Sequence, residues 1–189
     1  TITISTHDTA TVTLTGNLTA QGGNNGAGVS NGGAGAKIDL QDSVILLKTG
    51  GTITINTSGG TGVAAGAGGA IEFDQTVDAT TGADEGLAVV SGSGSITFTG
   101  AAGGGTTINV LTLQADNASC TGTVTFDGDV KAATLTTYGR AYAVVINEDA
   151  TITTATTFNN TGALTLGSAT DDIQTFTGGL VATAPSGIN

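Results

Sequence analysis

Every phenylalanine in this chain, five in all, falls inside one repeated phrase. The copies are Ile71-Glu72-Phe73-Asp74, Ile96-Thr97-Phe98-Thr99, Val124-Thr125-Phe126-Asp127, Thr156-Thr157-Phe158-Asn159 and Gln174-Thr175-Phe176-Thr177. Val12-Thr13-Leu14-Thr15 and Ile38-Asp39-Leu40-Gln41 repeat it with leucine in the same place. A residue type confined to one recurring context marks one structural slot, filled again and again. Over nine residues the phrase reads apolar, polar, large apolar, polar, turn, polar, apolar, polar, alanine, and 12–20, 71–79, 124–132 and 174–182 follow it. Alternation puts Val124 and Phe126 on one face of a strand and Thr125 and Asp127 on the other. The glycine near the middle marks a bend into a second strand.

The large slots are Leu14, Leu40, Phe73, Phe98, Phe126, Phe158 and Phe176, separated by 26, 33, 25, 28, 32 and 18 residues. A period of that size belongs to a solenoid with one repeat per coil. The expected fold is all-β: a single parallel β-helix over residues 1–189, with about six to seven irregular coils and those seven side chains as its core ladder. Further strand-like runs at 44–47, 52–55, 87–90, 108–113, 134–136, 143–146, 151–153 and 164–166 supply two or three short strands per coil. A β-sandwich would also give short strands, but it has no need for one nine-residue phrase at this spacing. Abundant Thr, Val and Ile suit pleated strands, and no window carries a sustained helical stripe. Two Gly-rich stretches, near 21–36 and 59–69, have too few apolar side chains for a core. They read as long turns, or as lateral surfaces where missing side chains let neighbouring chains approach closely.

Charge narrows the partners. Fifteen acidic residues against four basic ones give a net charge of −11, which opposes binding to nucleic acid phosphates and to anionic membrane surfaces. No apolar run approaches the roughly 20 residues of a membrane span. The absence of methionine implies that the start has been processed away or that the chain is an excerpt. Cys120, the one cysteine, cannot form an intrachain disulfide; it reads as a small buried or half-buried residue, or else as a link between chains.

Few residues carry chemistry. Neighbouring acids at Asp74/Asp78, Asp84/Glu85, Asp127/Asp129, Glu148/Asp149 and Asp171/Asp172 read mainly as a solvated face, with weak calcium binding left open at Asp127 and Asp129. Asp127, Asp129, Lys131 and Arg140 form the only acid–base group, of the kind seen on polysaccharide-cleaving β-helices. Such clefts also need aromatic platforms, and Tyr138 and Tyr142 are the only tyrosines. A nucleophilic triad would have to use His7, and zinc needs more His and Cys than one of each. The chain is expected not to be an enzyme and to hold no cofactor. Gly32–Leu40 resembles one calcium nonapeptide of the repeats-in-toxin family, but has Lys37 where that motif needs Asp and has no tandem copy. Outward Thr pairs at Thr13/Thr15, Thr97/Thr99 and Thr175/Thr177 are broken by acids at the other copies, unlike a continuous ice-binding array. Asn17, Asn56, Asn117 and Asn159 begin formal glycosylation sequons, which arise by chance in so Thr-rich a chain.

The phrases Ile96-Thr-Phe-Thr-Gly-Ala-Ala-Gly-Gly, Leu111-Thr-Leu-Gln and Ala163-Leu-Thr-Leu-Gly resemble the β-strand repeats of bacterial exoproteins and adhesins of the filamentous-haemagglutinin type. The resemblance covers mainly residues 87–182. It implies a right-handed solenoid, export to the cell surface, and a structural or adhesive role without catalytic residues. Solenoid ends expose strand edges that invite pairing, and the chain opens on strand-like Thr1, Ile2, Thr3 and Ile4. The leading expectation is therefore an extracellular, self-assembling fibre subunit that polymerises head to tail through that strand. A solenoid segment of a large adhesin binding carbohydrate or a cell surface comes second, and a polysaccharide-active enzyme third.

Overall fold

A computed structural model describes residues 1–5, 10–25, 30–82, 84–115 and 120–189. The described residues form a right-handed β-solenoid of seven coils whose strands all pair in parallel with the coil above and below. Coil 1 holds β1 (Ile2–Ile4), β2 (Val12–Leu14) and β3 (Leu18–Thr19). Coil 2 holds β4 (Ile38–Leu40), β5 (Val44–Leu46) and β6 (Thr52–Asn56). Coil 3 holds β7 (Ile71–Phe73), β8 (Val77–Ala79) and β9 (Gly86–Val90). Coil 4 holds β10 (Ile96–Phe98) and β11 (Ile108–Leu113), and coil 5 holds β12 (Thr123–Phe126) and β13 (Val130–Thr136). Coil 6 holds β14 (Ala143–Ile146), β15 (Ala150–Ile152) and β16 (Thr156–Thr157). Coil 7 holds β17 (Leu164–Leu166), β18 (Gln174–Phe176) and β19 (Leu180–Val181).

Register fixes what each coil contributes. On the first side, Ile2, Ile38, Ile71, Ile96, Val124, Val144, Leu164 and Ile188 stand in one column, so successive coils take 36, 33, 25, 28, 20, 20 and 24 residues. The neighbouring inward column is Ile4, Leu40, Phe73, Phe98, Phe126, Ile146 and Leu166. Phe73, Phe98 and Phe126 stack face to face in it, with ring centroids 4.5 and 4.6 Å apart and planes 7° and 11° from parallel. All three rings are fully buried. Stacked rings of this kind add roughly 0.5–1.5 kcal/mol per pair beyond burial.

This ladder corrects the sequence expectation at three positions. Leu14 stands in a different column, above Leu46 and Ala79 on the second side. Phe176 follows Ala132 and Ile152, also on the second side. Phe158 lies just past β16, buried, with its ring edge-on to Phe176 at 6.0 Å and 81°. The reason is geometric. The phrase describes a strand, a corner and another strand, and a coil has more than one such corner. Residues 71–79 turn the first corner, whereas 12–20 and 174–182 turn the second, and the apolar pattern is the same at both.

The Gly-rich stretches are neither loose nor free. Gly22 and Asn25 donate to the carbonyls of Ser58 and Thr61; Gly32 and Gly35 donate to Ala64 and Ala67. Gly60 and Val63 donate to Gly33 and Ser30, and Gly66 and Gly69 donate to Gly60 and Thr57. Donors three apart meeting acceptors three apart is the repeat of an extended polyproline-II chain, which has three residues per turn. Four such segments bond to one another with backbone against backbone. A methyl group on Gly35 would run into the Thr57 carbonyl, and one on Gly60 into that of Gly23. The close approach predicted between chains therefore occurs within one chain, between the excursions of coils 1 and 2.

Polar side chains line the corner where each coil returns to the first side. Thr57, Ser58, Ser91, Gln114, Thr137 and Asn160 are all buried there. Gln114, the one non-glycine residue with positive φ among those described (52°), accepts from the backbone N–H groups of Ser91 and Gly92 at 3.1 and 3.2 Å. Its amide donates to Ser91 Oγ at 2.9 Å. Cys120 is buried beside it, with Sγ 3.3 Å from Gln114 Oε1, so the buried reading of this thiol is the right one.

Candidate functional site

The outward row of the first side reads Thr3, Asp39, Glu72, Thr97, Thr125, Val145 and Thr165. Parallel in-register stacking sets like positions about 4.8 Å apart, so Asp39 and Glu72 become neighbours although 33 residues separate them. Asp74 joins them at the end of the same strand as Glu72. Oxygens of these three carboxylates lie within 4.8 Å of one another, the only group of that kind among the described residues.

Lys37 sits in the group. Its Nζ donates to Glu72 Oε2 at 2.6 Å and lies 3.5 Å from Asp39 Oδ2. The Glu72 hydrogen bond is the main reason its ammonium is held above the usual lysine range. Asp74 is pushed above the usual carboxylate range, first by burial and then by the charges of Asp39 and Glu72, with Lys37 opposing. Three oxygen ligands at this spacing match the chemistry of a hard cation, but such an ion would have to displace the lysine already in place.

The raised Asp74 carboxyl sets a pH dependence. Its proton is held more tightly in the folded state than in the unfolded one, so its charged form destabilises the fold above the folded pKa. That penalty vanishes as pH falls below the unfolded value. Asp74→Asn is expected to raise the melting temperature at neutral pH by no more than about 2 °C. Melts run from neutral pH down to about pH 3 should show the difference closing.

The other acids hold turns together. Asp78 accepts from the N–H groups of Gly105 and Thr106 at 2.8 and 3.0 Å, and Asp172 from Ser168 and Ala169 at 2.6 and 2.7 Å. Asp149 accepts from Ile173 N at 2.7 Å. Glu85 is buried; burial pushes its pKa up, but hydrogen bonds from Thr80 and Thr81 outweigh that and hold it below the usual range. The calcium candidates Asp127 and Asp129 are both exposed, and Asp127 Oδ1 accepts from Asn147 Nδ2 at 2.7 Å. They belong to no group of three carboxylates among the described residues.

The acid–base group expected from sequence is not assembled. Asp127 and Asp129 sit at the first corner, while Arg140 lies beyond the far end of β13, with Lys131 exposed between them. Tyr142 is no binding platform. Its ring is fully buried, its hydroxyl donates to the Leu113 carbonyl at 3.2 Å and accepts from Tyr138 N at 2.9 Å, and burial raises its pKa to about 12. Outward threonines form no continuous array, because Thr13 stacks on Ile45 and Asp78. Asn17, Asn56 and Asn159 use their side chains to tie the backbone at Thr54, Ser58 and Thr137. His7 and Asn117 lie outside the described residues.

Sequence reasoning grouped acids by nearness along the chain and so missed Asp39–Glu72–Asp74. The signal was present in the aligned phrases Ile38-Asp39-Leu40 and Ile71-Glu72-Phe73, whose middle residues share one outward slot. No helix among the described residues is long and apolar enough to cross a membrane. No family model, curated protein or solved structure matches the chain.

Proposed function

We propose that the chain is a structural β-solenoid module of an extracellular fibre, lengthened by further coils stacked end to end. The observation that carries this reading is the pair of terminal coil faces. The strands β1, β2 and β3 are paired on one side only, as are β18 and β19 at the other end. Beside the latter, Leu180 and Val181 are 41% and 48% exposed. Unpaired parallel edges over an apolar interior are templates for another coil. The strand texture shared with haemagglutinin-type exoproteins and the acidic, aromatic-poor surface support a place outside the cell.

Negative-stain microscopy of the purified chain over a range of concentrations tests the proposal. Unbranched filaments that lengthen with concentration are the expected result, and deletion of residues 1–5 should shorten them by removing β1. Monodisperse rods at every concentration would overturn self-assembly and leave the chain as a rod segment of a larger surface protein.

A further inference from the structure

The first and last coils are one module, and the five between them are another. From the first-side column to the second-side column, Ile38 to Val44, Ile71 to Val77, Ile96 to Ala102, Val124 to Val130 and Val144 to Ala150 are each six residues. In coil 1 the step from Ile2 to Val12 is ten, and in coil 7 the step from Leu164 to Gln174 is again ten. The second corner agrees as well: β2 and β3 are separated by residues 15–17, β18 and β19 by residues 177–179. A constant offset of 162 therefore carries all three strands of coil 1 onto those of coil 7 without a gap. Along it, Thr3, Thr13, Thr15, Gly16, Leu18 and Ala20 meet identical residues at 165, 175, 177, 178, 180 and 182.

Resting on the head-to-tail reading above, we propose that the open face of coil 7 takes up coil 1 of a second copy of this chain, in the register set by that offset. Ile2 would lie on Leu164, Ile4 on Leu166, Leu14 on Phe176, Leu18 on Leu180 and Ala20 on Ala182, apolar on apolar in every slot. Both corners then superpose, which happens between coils 1 and 2 at neither corner. The unlike pair, Val12 on Gln174, is accommodated because the Gln174 amide turns away from the open face to the Glu148 carbonyl of coil 6, at 2.7 Å. Charge permits the contact: residues 1–5 and 10–25 contain no acidic or basic side chain to oppose Asp171 and Asp172. Along β17, Gly187–Asn189 already make three backbone hydrogen bonds, Leu164 N to Gly187 O, Leu166 N to Asn189 O and Asn189 N to Leu164 O. The incoming β1 replaces these with its own.

Paired cysteines test the register. Thr13→Cys with Thr175→Cys places two thiols on adjacent strands, about 4.8 Å apart and inside the roughly 4.4–6.8 Å range of disulfide Cα separations. Diamide oxidation of this variant should give a ladder of covalent oligomers on a non-reducing gel. Thr3→Cys with Thr175→Cys, on different sides of the tube, should stay monomeric on the gel. Native Cys120 is 1% exposed, and each single variant controls for it. Sedimentation of the reduced proteins separates the two ideas. Association without cross-linking at 13/175 overturns this register and leaves the fibre reading standing; no association overturns both.

Discussion

Phe126→Asp is expected to unfold the middle of the solenoid, with loss of protease resistance across coils 4–6. Phe126 is fully buried and lies between Phe98 and Ile146 in the inward column of the first side. Its removal forfeits on the order of 1.5–3 kcal/mol of apolar burial and one stacked pair. The carboxylate would then stand in a tube interior with no cation near it, at a penalty of several kcal/mol. Total stabilities of single domains are about 5–15 kcal/mol, so these losses together are large. Because each coil touches only its neighbours, the break should divide the array rather than soften it uniformly. Limited proteolysis with mass mapping of the fragments reads this directly. Phe126→Leu, which installs the residue already present in this column at Leu40 and Leu166, should cost well under the roughly 3–5 kcal/mol typical of Phe→Ala. Full protease resistance in Phe126→Asp would mean that the ring does not face inward.

The second large effect belongs to a residue with no side chain. Gly35 has an ordinary backbone conformation, with no positive φ, so alanine is conformationally acceptable there. Space alone forbids it, because the added methyl would meet the carbonyls of Thr57 and Ser58. Overpacking against backbone, which cannot rotate aside as a side chain can, is expected to cost more than the usual 1–3 kcal/mol, roughly 3 or above. Gly23 supplies the contrast. It also lacks positive φ, and a methyl there would meet nothing within 4 Å. Gly23→Ala should be neutral or stabilising by up to about 1 kcal/mol, through the unfolded chain alone. Chemical denaturation of the two variants gives the comparison, and amide exchange at Gly32, Gly60 and Gly66 should accelerate only in Gly35→Ala. Equal stability of the two variants would mean that the glycine segments are not packed as described.

These two variants also mark where the sequence was readable. Alternation around Phe73, Phe98 and Phe126 identifies strands, inward faces and coil-sized spacing, because period-two burial leaves a direct trace in residue type. It does not say which corner a phrase turns, and so Leu14, Phe158 and Phe176 were assigned to the wrong column. Nor does hydrophobicity describe the glycine segments. Their order rests on backbone hydrogen bonds between Gly22, Gly35 and Gly60 and their partners, and on the absence of Cβ atoms, neither of which appears as an apolar pattern. The Asp39–Glu72–Asp74 group was hidden for another reason. It forms only when one coil is laid on the next, so its members are neighbours across a turn of the tube rather than along the chain.

The shrinking coil length has a consequence for any assembly of this molecule. A tube whose circumference falls from 36 residues at one end to about 20 near the other has a broad end and a narrow one. Seven coils rise about 34 Å at roughly 4.8 Å each. Joined end to end, such bodies would give a saw-toothed outline with that repeat, and the direction of the teeth would report the polarity of the strand from its silhouette alone.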